Sequence, residues 1–341
     1  MKRFFSVLLL VSLLLSGCAG QGTPERKQYN ATFLTLFDTV TVITGLSESE
    51  EAFSADVQII HDGLEECHRL FDIYNDYEGL NNLKTINDNA GGDPVVVDRR
   101  IIDLLLDCKT FYEATGGKVN VAMGSVLHLW HVARNDGLND PANAYLPDRD
   151  ALKEAAAHTD FAAVLIDEEA STVQITDPAV RLDVGAIAKG WSAQLVCEQA
   201  PGGYLVSVGG NVCASGPKDE TGTPWVVGVQ DPDDGANYLH TLYLTEGSMV
   251  TSGDYQRNYA VDGALYHHII DPETLYPSEY WSSVTIVCGD SGVADMLSTA
   301  LFLLPQEEGK ALLADWDAEA MWVDRNGEIF YSDNFQALIR T

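Results

Sequence analysis

Apolar side chains follow two rhythms along the chain, and the alternation between them predicts its elements. Across residues 49–70 they recur at Phe53, Val57, Ile60, Leu64 and Cys67, the three-to-four spacing of an amphipathic helix. Arg99–Ala114 repeats that spacing, and shorter helical patterns cover residues 187–198, 292–302 and 307–315. Period-two or short apolar runs predict strands at 32–44, 161–167, 172–176, 204–208, 225–229, 239–244, 249–252 and 283–287. A last hairpin runs from 321–323 through Asp324-Arg325-Asn326-Gly327 to 329–331. Strand and helix do not alternate regularly, so the predicted class is α+β, with mainly antiparallel sheets and packed helices.

The amino terminus breaks this pattern. Lys2 and Arg3 precede an apolar stretch over 4–15, and Leu15-Ser16-Gly17-Cys18 then has the form of a lipobox. The stretch is shorter than the roughly 20 residues that a spanning helix needs. The expectation is a signal peptide over 1–17, a Cys18 acylated after cleavage, a tether over 18–30 and a folded body over 31–341 in two interleaved lobes. Such a protein is lipid-anchored at the extracytoplasmic face of the cell membrane.

Net charge is −31, from 20 Lys and Arg against 51 Asp and Glu, and no basic run stands out. That composition argues against nucleic acid and against electrostatic adhesion to anionic lipid. Besides Cys18 there are Cys67, Cys108, Cys197, Cys213 and Cys288; none forms a C-x-x-C pair, and their apolar surroundings favour buried free thiols.

Four clusters carry candidate chemistry. Residues 181–190, Arg-Leu-Asp-Val-Gly-Ala-Ile-Ala-Lys-Gly, read as a strand turning into a helix. Free N–H groups there suit a phosphate, with Lys189 as counter-charge, although an ordinary glycine-rich turn has the same appearance. Residues 204–211 end in Gly209-Gly210-Asn211. His267 and His268 stand side by side before Ile269-Ile270-Asp271-Pro272-Glu273-Thr274, and strand alternation lets only one of the two enter a given site. Asp295 and Thr299 lie one helical turn apart, as a pair of hard oxygen ligands or a plain side-chain hydrogen bond.

In this order, together with Phe37-Asp38-Thr39, Phe71-Asp72-Ile73-Tyr74, Gly116-Gly117-Lys118-Val119-Asn120 and Thr251-Ser252-Gly253-Asp254-Tyr255, the clusters resemble the ApbE family of FAD:protein FMN transferases over nearly the whole mature chain. The resemblance implies a T-fold-like architecture. It implies FAD as substrate, held by Phe37, Tyr74, Lys118, Val119, Asn120, Asp183, Lys189 and His268. It also implies Mg²⁺ on the Ala186 carbonyl, Asp295 and Thr299, with Ser298 where some members carry an aspartate ligand. Phe37 stands where many members have methionine, and Asn120 replaces a frequent aspartate. The implied reaction moves FMN from FAD to a threonine of a partner protein and releases AMP, with Asp295 and His268 as catalytic groups. His268 is either the base for the threonine hydroxyl or a flavin contact. Water in place of threonine would make a pyrophosphatase, and no reaction at all would leave a flavin-binding lipoprotein. The sequence does not name the acceptor; the expected tethering outside the cytoplasmic membrane points to exported flavoproteins or subunits of ion-pumping electron-transfer complexes.

Overall fold

The computed structural model describes residues 26–341; the expected signal peptide and Cys18 lie outside them. The chain opens with β1 (Lys27–Leu36) and β2 (Thr39–Ser47), followed by α1 (Glu50–Phe71). β1 thus takes up the last residues of the expected tether. Ser49 caps α1 by accepting the Ala52 N–H, and Glu50 and Glu51 in its first turn complement His68 and Arg69 in its last. Next come α2 (Leu83–Asp88), the short β3 (Val95–Val96), α3 (Arg99–Ala114), α4 (Gly124–Asn139) and α5 (Arg149–Ala156). The hairpin β4 (Val164–Asp167) and β5 (Thr172–Ile175) precedes α6 (Ala188–Gln199). Seven strands follow: β6 (Tyr204–Val208), β7 (Asn211–Ala214), β8 (Trp225–Gln230), β9 (Tyr238–Leu244), β10 (Gly247–Gly253), β11 (Asn258–Val261) and β12 (Ala264–His267). β13 (Trp281–Cys288), α7 (Ser291–Phe302), α8 (Gln306–Leu313), β14 (Ala318–Asp324) and β15 (Ile329–Tyr331) complete the fold.

The fold is α+β. Its spine is an eight-stranded sheet in the order β1-β2-β6-β7-β10-β13-β14-β15, antiparallel throughout. Alternation along the strands divides the core. Val250, Val284, Ile286 and Trp322 face α7 and the largest apolar cluster, whereas Met249, Met321 and Val323 face a second cluster beneath the β8–β9 hairpin. α1 and α6 cover the β2–β6 end through Phe53, Ile60, Leu64, Ala193 and Val206. α4, α5 and the β11–β12 hairpin enclose a fourth cluster around Trp130.

Two departures from the sequence expectation bear on the site. The single strand expected over 32–44 is a hairpin, reversed by Phe37 and Asp38 at φ +53° and +51° between the paired Leu36 and Thr39. Two left-handed residues in a two-residue loop make a type I′ turn, normally the province of Asn and Gly, so no composition signal marks it. α4 was not expected either. Its buried face is Val126, Trp130, Ala133 and Gly137, in part too small to register as apolar, while Val132 and Leu138 are exposed and blur the period.

Candidate active site

The 181–190 segment is held from outside. Buried Asn87 grips both backbone groups of Leu182, with its Nδ2 donating to the carbonyl at 2.9 Å and its Oδ1 accepting the N–H at 2.7 Å. Gly124 N–H donates to Arg181 O at 2.9 Å, and a Cβ at Gly124 would lie 2.6 Å from that oxygen. Asp183 Oδ1 accepts the Gly185 N–H at 2.9 Å and fixes the turn that carries Ala186. Helix α6 then starts with no side-chain cap of its own. Its cap comes from α7: the Gly190 N–H donates to Asp295 Oδ2 at 2.9 Å.

That contact explains Gly190. A Cβ there would meet Ser291 O at 2.2 Å and Asp295 Cβ at 2.5 Å, so only glycine lets α6 and α7 cross this closely. One of the N–H groups expected for phosphate is therefore taken by a carboxylate. Lys189 Nζ lies 3.7 Å from the same Asp295 Oδ2 and donates to Gly185 O at 3.3 Å. Asp295 is 3 % exposed, on a helix buried around most of its circumference. Burial pushes its carboxyl up, opposed chiefly by Lys189 and the Gly190 N–H.

The oxygens around Asp295 suit a small hard cation. Asp295 Oδ1 makes no hydrogen bond of ordinary length among the described residues, although the Asn211 side chain is near enough to favour the charged carboxylate, and the half-buried Thr299 hydroxyl is spent only on a long 3.4 Å bond to Asp295 O. Carboxylate, hydroxyl and the nearby Ala186 turn offer oxygen donors of the kind Mg²⁺ takes. The Ser298 hydroxyl is already engaged, with Ser252 Oγ at 2.7 Å and Asp295 O at 2.8 Å.

The two histidines separate cleanly. His267 ends β12, is buried, and has both ring nitrogens in use: Nε2–H donates to Ser278 O at 2.8 Å, and Nδ1 accepts the Ile269 N–H at 3.2 Å. His268 has a buried Nδ1 with no hydrogen-bond partner. Burial drives its imidazole down to about 3, helped chiefly by the positive charges of Arg257, Lys189 and Arg134. It is a neutral ring surrounded by cations.

Tyr74 is half exposed and its ring stacks on His131, with centroids 5.3 Å apart and planes at 28°. Burial raises its phenol to about 12, with Asp183 the next contributor and Asp38 a smaller one. Phe37 is held over α1 by its N–H to His68 Nδ1, at 3.2 Å, and by an edge-on contact with the same ring. Asp72 accepts from Tyr74 N, Asn75 N, Asn75 Nδ2 and Tyr77 OH; burial opposes them, yet these bonds hold its carboxyl below the usual range. The loop that presents Tyr74 is thereby fixed.

The 118–120 segment sits differently from the rest. Lys118 Nζ pairs with Asp271 Oδ1 at 3.2 Å and Glu273 Oε1 at 3.1 Å. Val119 is in the core, and Asn120 spends its side chain on Thr159 O and the Ala122 N–H. Its clearest task is scaffolding, since Val121 O accepts the Asp183 N–H at 2.8 Å. Charge interactions and the Lys189–Asp295 contact thus link Tyr74, Asp183, Lys189, His268 and Asp295 into one neighbourhood, with Phe37 beside it through the Asp38 turn. The sequence reading missed His131, Arg134 and Arg257. The first two lie on the unexpected α4, and Arg257 stands two residues beyond the quoted 251–255 motif.

Fold and site together define a class: an α+β enzyme whose site places Arg257, Lys189 and Arg134 near enough to act on a neutral histidine, with oxygen ligands beside Lys189, an arrangement suited to a phosphate-bearing substrate. Residues 37–322 match the ApbE family, and the chain belongs to that family. A Treponema pallidum (strain Nichols) relative, named FAD:protein FMN transferase, is 38% identical over 252 residues, 69% of this chain and 68% of its own. One of the same name from Klebsiella pneumoniae (strain 342) is 28% identical over 97% of this chain and 95% of its own. The crystal structure of the ApbE protein from Thermotoga maritima matches with a TM-score of 0.80 at 30% identity, covering 92% of this chain and 100% of that one. The flavin transferase ApbE from Vibrio cholerae, at 21% identity and a TM-score of 0.74, shares the fold.

Proposed function

We propose that this chain is an Mg²⁺-dependent FAD:protein FMN transferase acting on a threonine of a partner protein. The observation that carries this reading is His268, whose buried Nδ1 has no hydrogen-bond partner among the described residues and whose neutral ring feels the charge of Lys189, itself 3.7 Å from Asp295 Oδ2. The threonine Oγ attacks the FMN-side phosphorus of FAD, the bond to the AMP-side bridging oxygen breaks, and AMP leaves with that oxygen. His268 receives the hydroxyl proton. Tyr74 and Phe37 offer ring faces to the isoalloxazine. Lys189 meets the growing charge on the phosphoryl oxygens. Asp295, Thr299 and the Ala186 carbonyl would hold Mg²⁺, which when bound neutralises spreading phosphate charge and orients the oxygens.

The names of the relatives support FAD and a protein acceptor. The lipobox supports a lipid anchor on Cys18 at the extracytoplasmic face, and with it acceptors among exported flavoproteins and membrane electron-transfer complexes. The test is incubation with FAD and Mg²⁺, with and without a threonine-bearing candidate acceptor, followed by chromatography for AMP and FMN and mass spectrometry of the acceptor. Acceptor-dependent AMP with a covalently flavinylated threonine is the expected result. Free FMN and AMP without acceptor would make the enzyme a pyrophosphatase, and intact FAD throughout would leave a binding protein.

A further inference from the structure

Most arginines and lysines with a structural role in this acidic chain are matched to carboxylates. Arg99 pairs with Asp103 and Glu168, Arg100 with Glu66 and Asp98, Lys84 with Asp76 and Asp88, and Lys118 with Asp271 and Glu273. Arg134 is different. Half-buried on α4, it has no carboxylate within ion-pair distance among the described residues, and its one side-chain hydrogen bond runs from Nη2 to His131 Nδ1 at 3.2 Å. Arg257, exposed on the loop before β11, likewise has no carboxylate partner there. With 51 acidic residues to choose from, leaving a partly desolvated guanidinium unmatched is a cost that a bound anion would offset.

The two arginines also act on each other and on the same neighbours. Burial and the charge of Arg257 both pull Arg134 below its ordinary value. Both charges bear on His268 and on Tyr74. The carboxylates that contribute most at these groups are Asp183, at Tyr74 and His131, and Asp38, at Tyr74.

We propose that Arg134 and Arg257 form an anion-receiving subsite for the pyrophosphate of the dinucleotide substrate, with His131 as the positioning residue for Arg134. The proposal rests on the flavin-dinucleotide reading above and extends it to residues on α4 and the 254–257 loop. An arginine fork offers five donors, and Arg134 commits only one to the protein, so its others remain for phosphate oxygens. His131 is suited to fix that fork. Its Nδ1 must keep a lone pair to accept from Arg134, which places the proton on Nε2. The 2.8 Å contact from Nε2 to Asn135 is then a hydrogen bond to the amide oxygen, with the Asn135 amide turned accordingly. Burial and the Arg134 charge keep the His131 ring neutral, and stacking on Tyr74 locks its plane. One ring therefore ties the flavin-facing tyrosine to a phosphate-facing arginine.

The experiment measures dissociation constants of purified Arg134→Gln, Arg257→Gln, Arg134→Lys and His131→Phe for FAD, ADP and inorganic pyrophosphate, with riboflavin as the phosphate-free control. Thermal melting verifies folding. Each Arg→Gln change should weaken FAD and pyrophosphate by about ten- to hundredfold, as loss of a charge-assisted hydrogen bond does. Riboflavin should be unaffected, and the salt dependence of FAD binding should flatten. Arg134→Lys should recover part of the loss. His131→Phe, which keeps the stack and removes the acceptor, should raise the FAD constant and leave riboflavin alone. Unchanged FAD affinity in both Arg→Gln variants, or an equal loss for riboflavin, overturns the subsite. Should wild type bind ADP through these arginines and fail to bind FAD, the subsite stands and the flavin reading falls.

Discussion

At the residue scale the informative contrast is between neighbours of the same type. His267 spends both nitrogens on the backbone, so His267→Ala strands the Ile269 N–H in the interior, leaves Ser278 O with only the longer bond from Arg325 Nη2 at 3.3 Å, and should cost about 1–3 kcal/mol of stability. His267→Ala should be the milder of the pair for turnover and the harsher for the fold. His268→Ala removes no internal hydrogen bond of Nδ1 and should abolish AMP release while leaving the melting temperature nearly unchanged. Both rings also predict an acid response. Burial lowers His267 from 6.5 to about 4 and His268 from 6.5 to about 3. The unfolded chain therefore binds protons that the native state refuses, and stability, full above the unfolded value, falls as pH drops from 6.5 toward the folded values. Melting temperatures recorded across that window should fall less steeply in either alanine variant; parallel curves would contradict the assignment.

At the element scale, the chain displayed its long amphipathic helices and central strands openly because burial there follows a single period. α1, α3 and α7 begin and end within a residue or two of the pattern in the sequence, and β6, β10 and β13 follow their apolar runs. What stayed hidden depends on small residues or special backbone. α4 buries Ala and Gly, and the first hairpin turns on a phenylalanine. The β11–β12 hairpin is a fairer rebuke, since its Asp262-Gly263 turn, at φ +50° and +83°, is a strong sequence signal that went unread. The left-handed Phe37 and Asp38 also make a prediction. Such backbone costs an ordinary residue about 1–2 kcal/mol, so Phe37→Asn with Asp38→Gly should raise the urea midpoint. If Phe37 is retained for a flavin, FAD affinity should fall in the same variant. A rise in both would mean the strain serves no binding role. The α6–α7 crossing is less forgiving: Gly190→Ala forces the helices apart and should destabilise by about 1–3 kcal/mol, read as a lowered melting temperature.

At the scale of the whole molecule, a net charge of −31 repels an anionic dinucleotide and draws cations. Near 0.15 M salt the screening length is about 8 Å, so distant carboxylates fade and the charges lining the cleft decide. That local arrangement was only partly legible. Lys189, His268 and Asp295 stood in motifs, whereas Arg134 and Arg257 become neighbours of His268 only when α4 and the 254–257 loop fold over it. The same arrangement dictates how metal and substrate answer each other. The buried Asp295 offers one free carboxylate oxygen and Thr299 one hydroxyl, too few to fill the octahedron of Mg²⁺, so substrate phosphate oxygens and water would have to complete it. FAD should then raise Mg²⁺ affinity, and Mg²⁺ should raise FAD affinity by the same factor. Each ligand alone should lift the melting temperature modestly, and the two together by more than the sum. Asp295→Asn is the decisive variant because an asparagine oxygen still accepts the Gly190 N–H, so the α6–α7 crossing survives while the anionic ligand is lost. Calorimetric titration of FAD, with and without Mg²⁺, should show coupling in wild type and none in Asp295→Asn. If Mg²⁺ leaves FAD affinity unchanged in wild type and EDTA leaves turnover intact, Asp295 caps a helix and binds no metal.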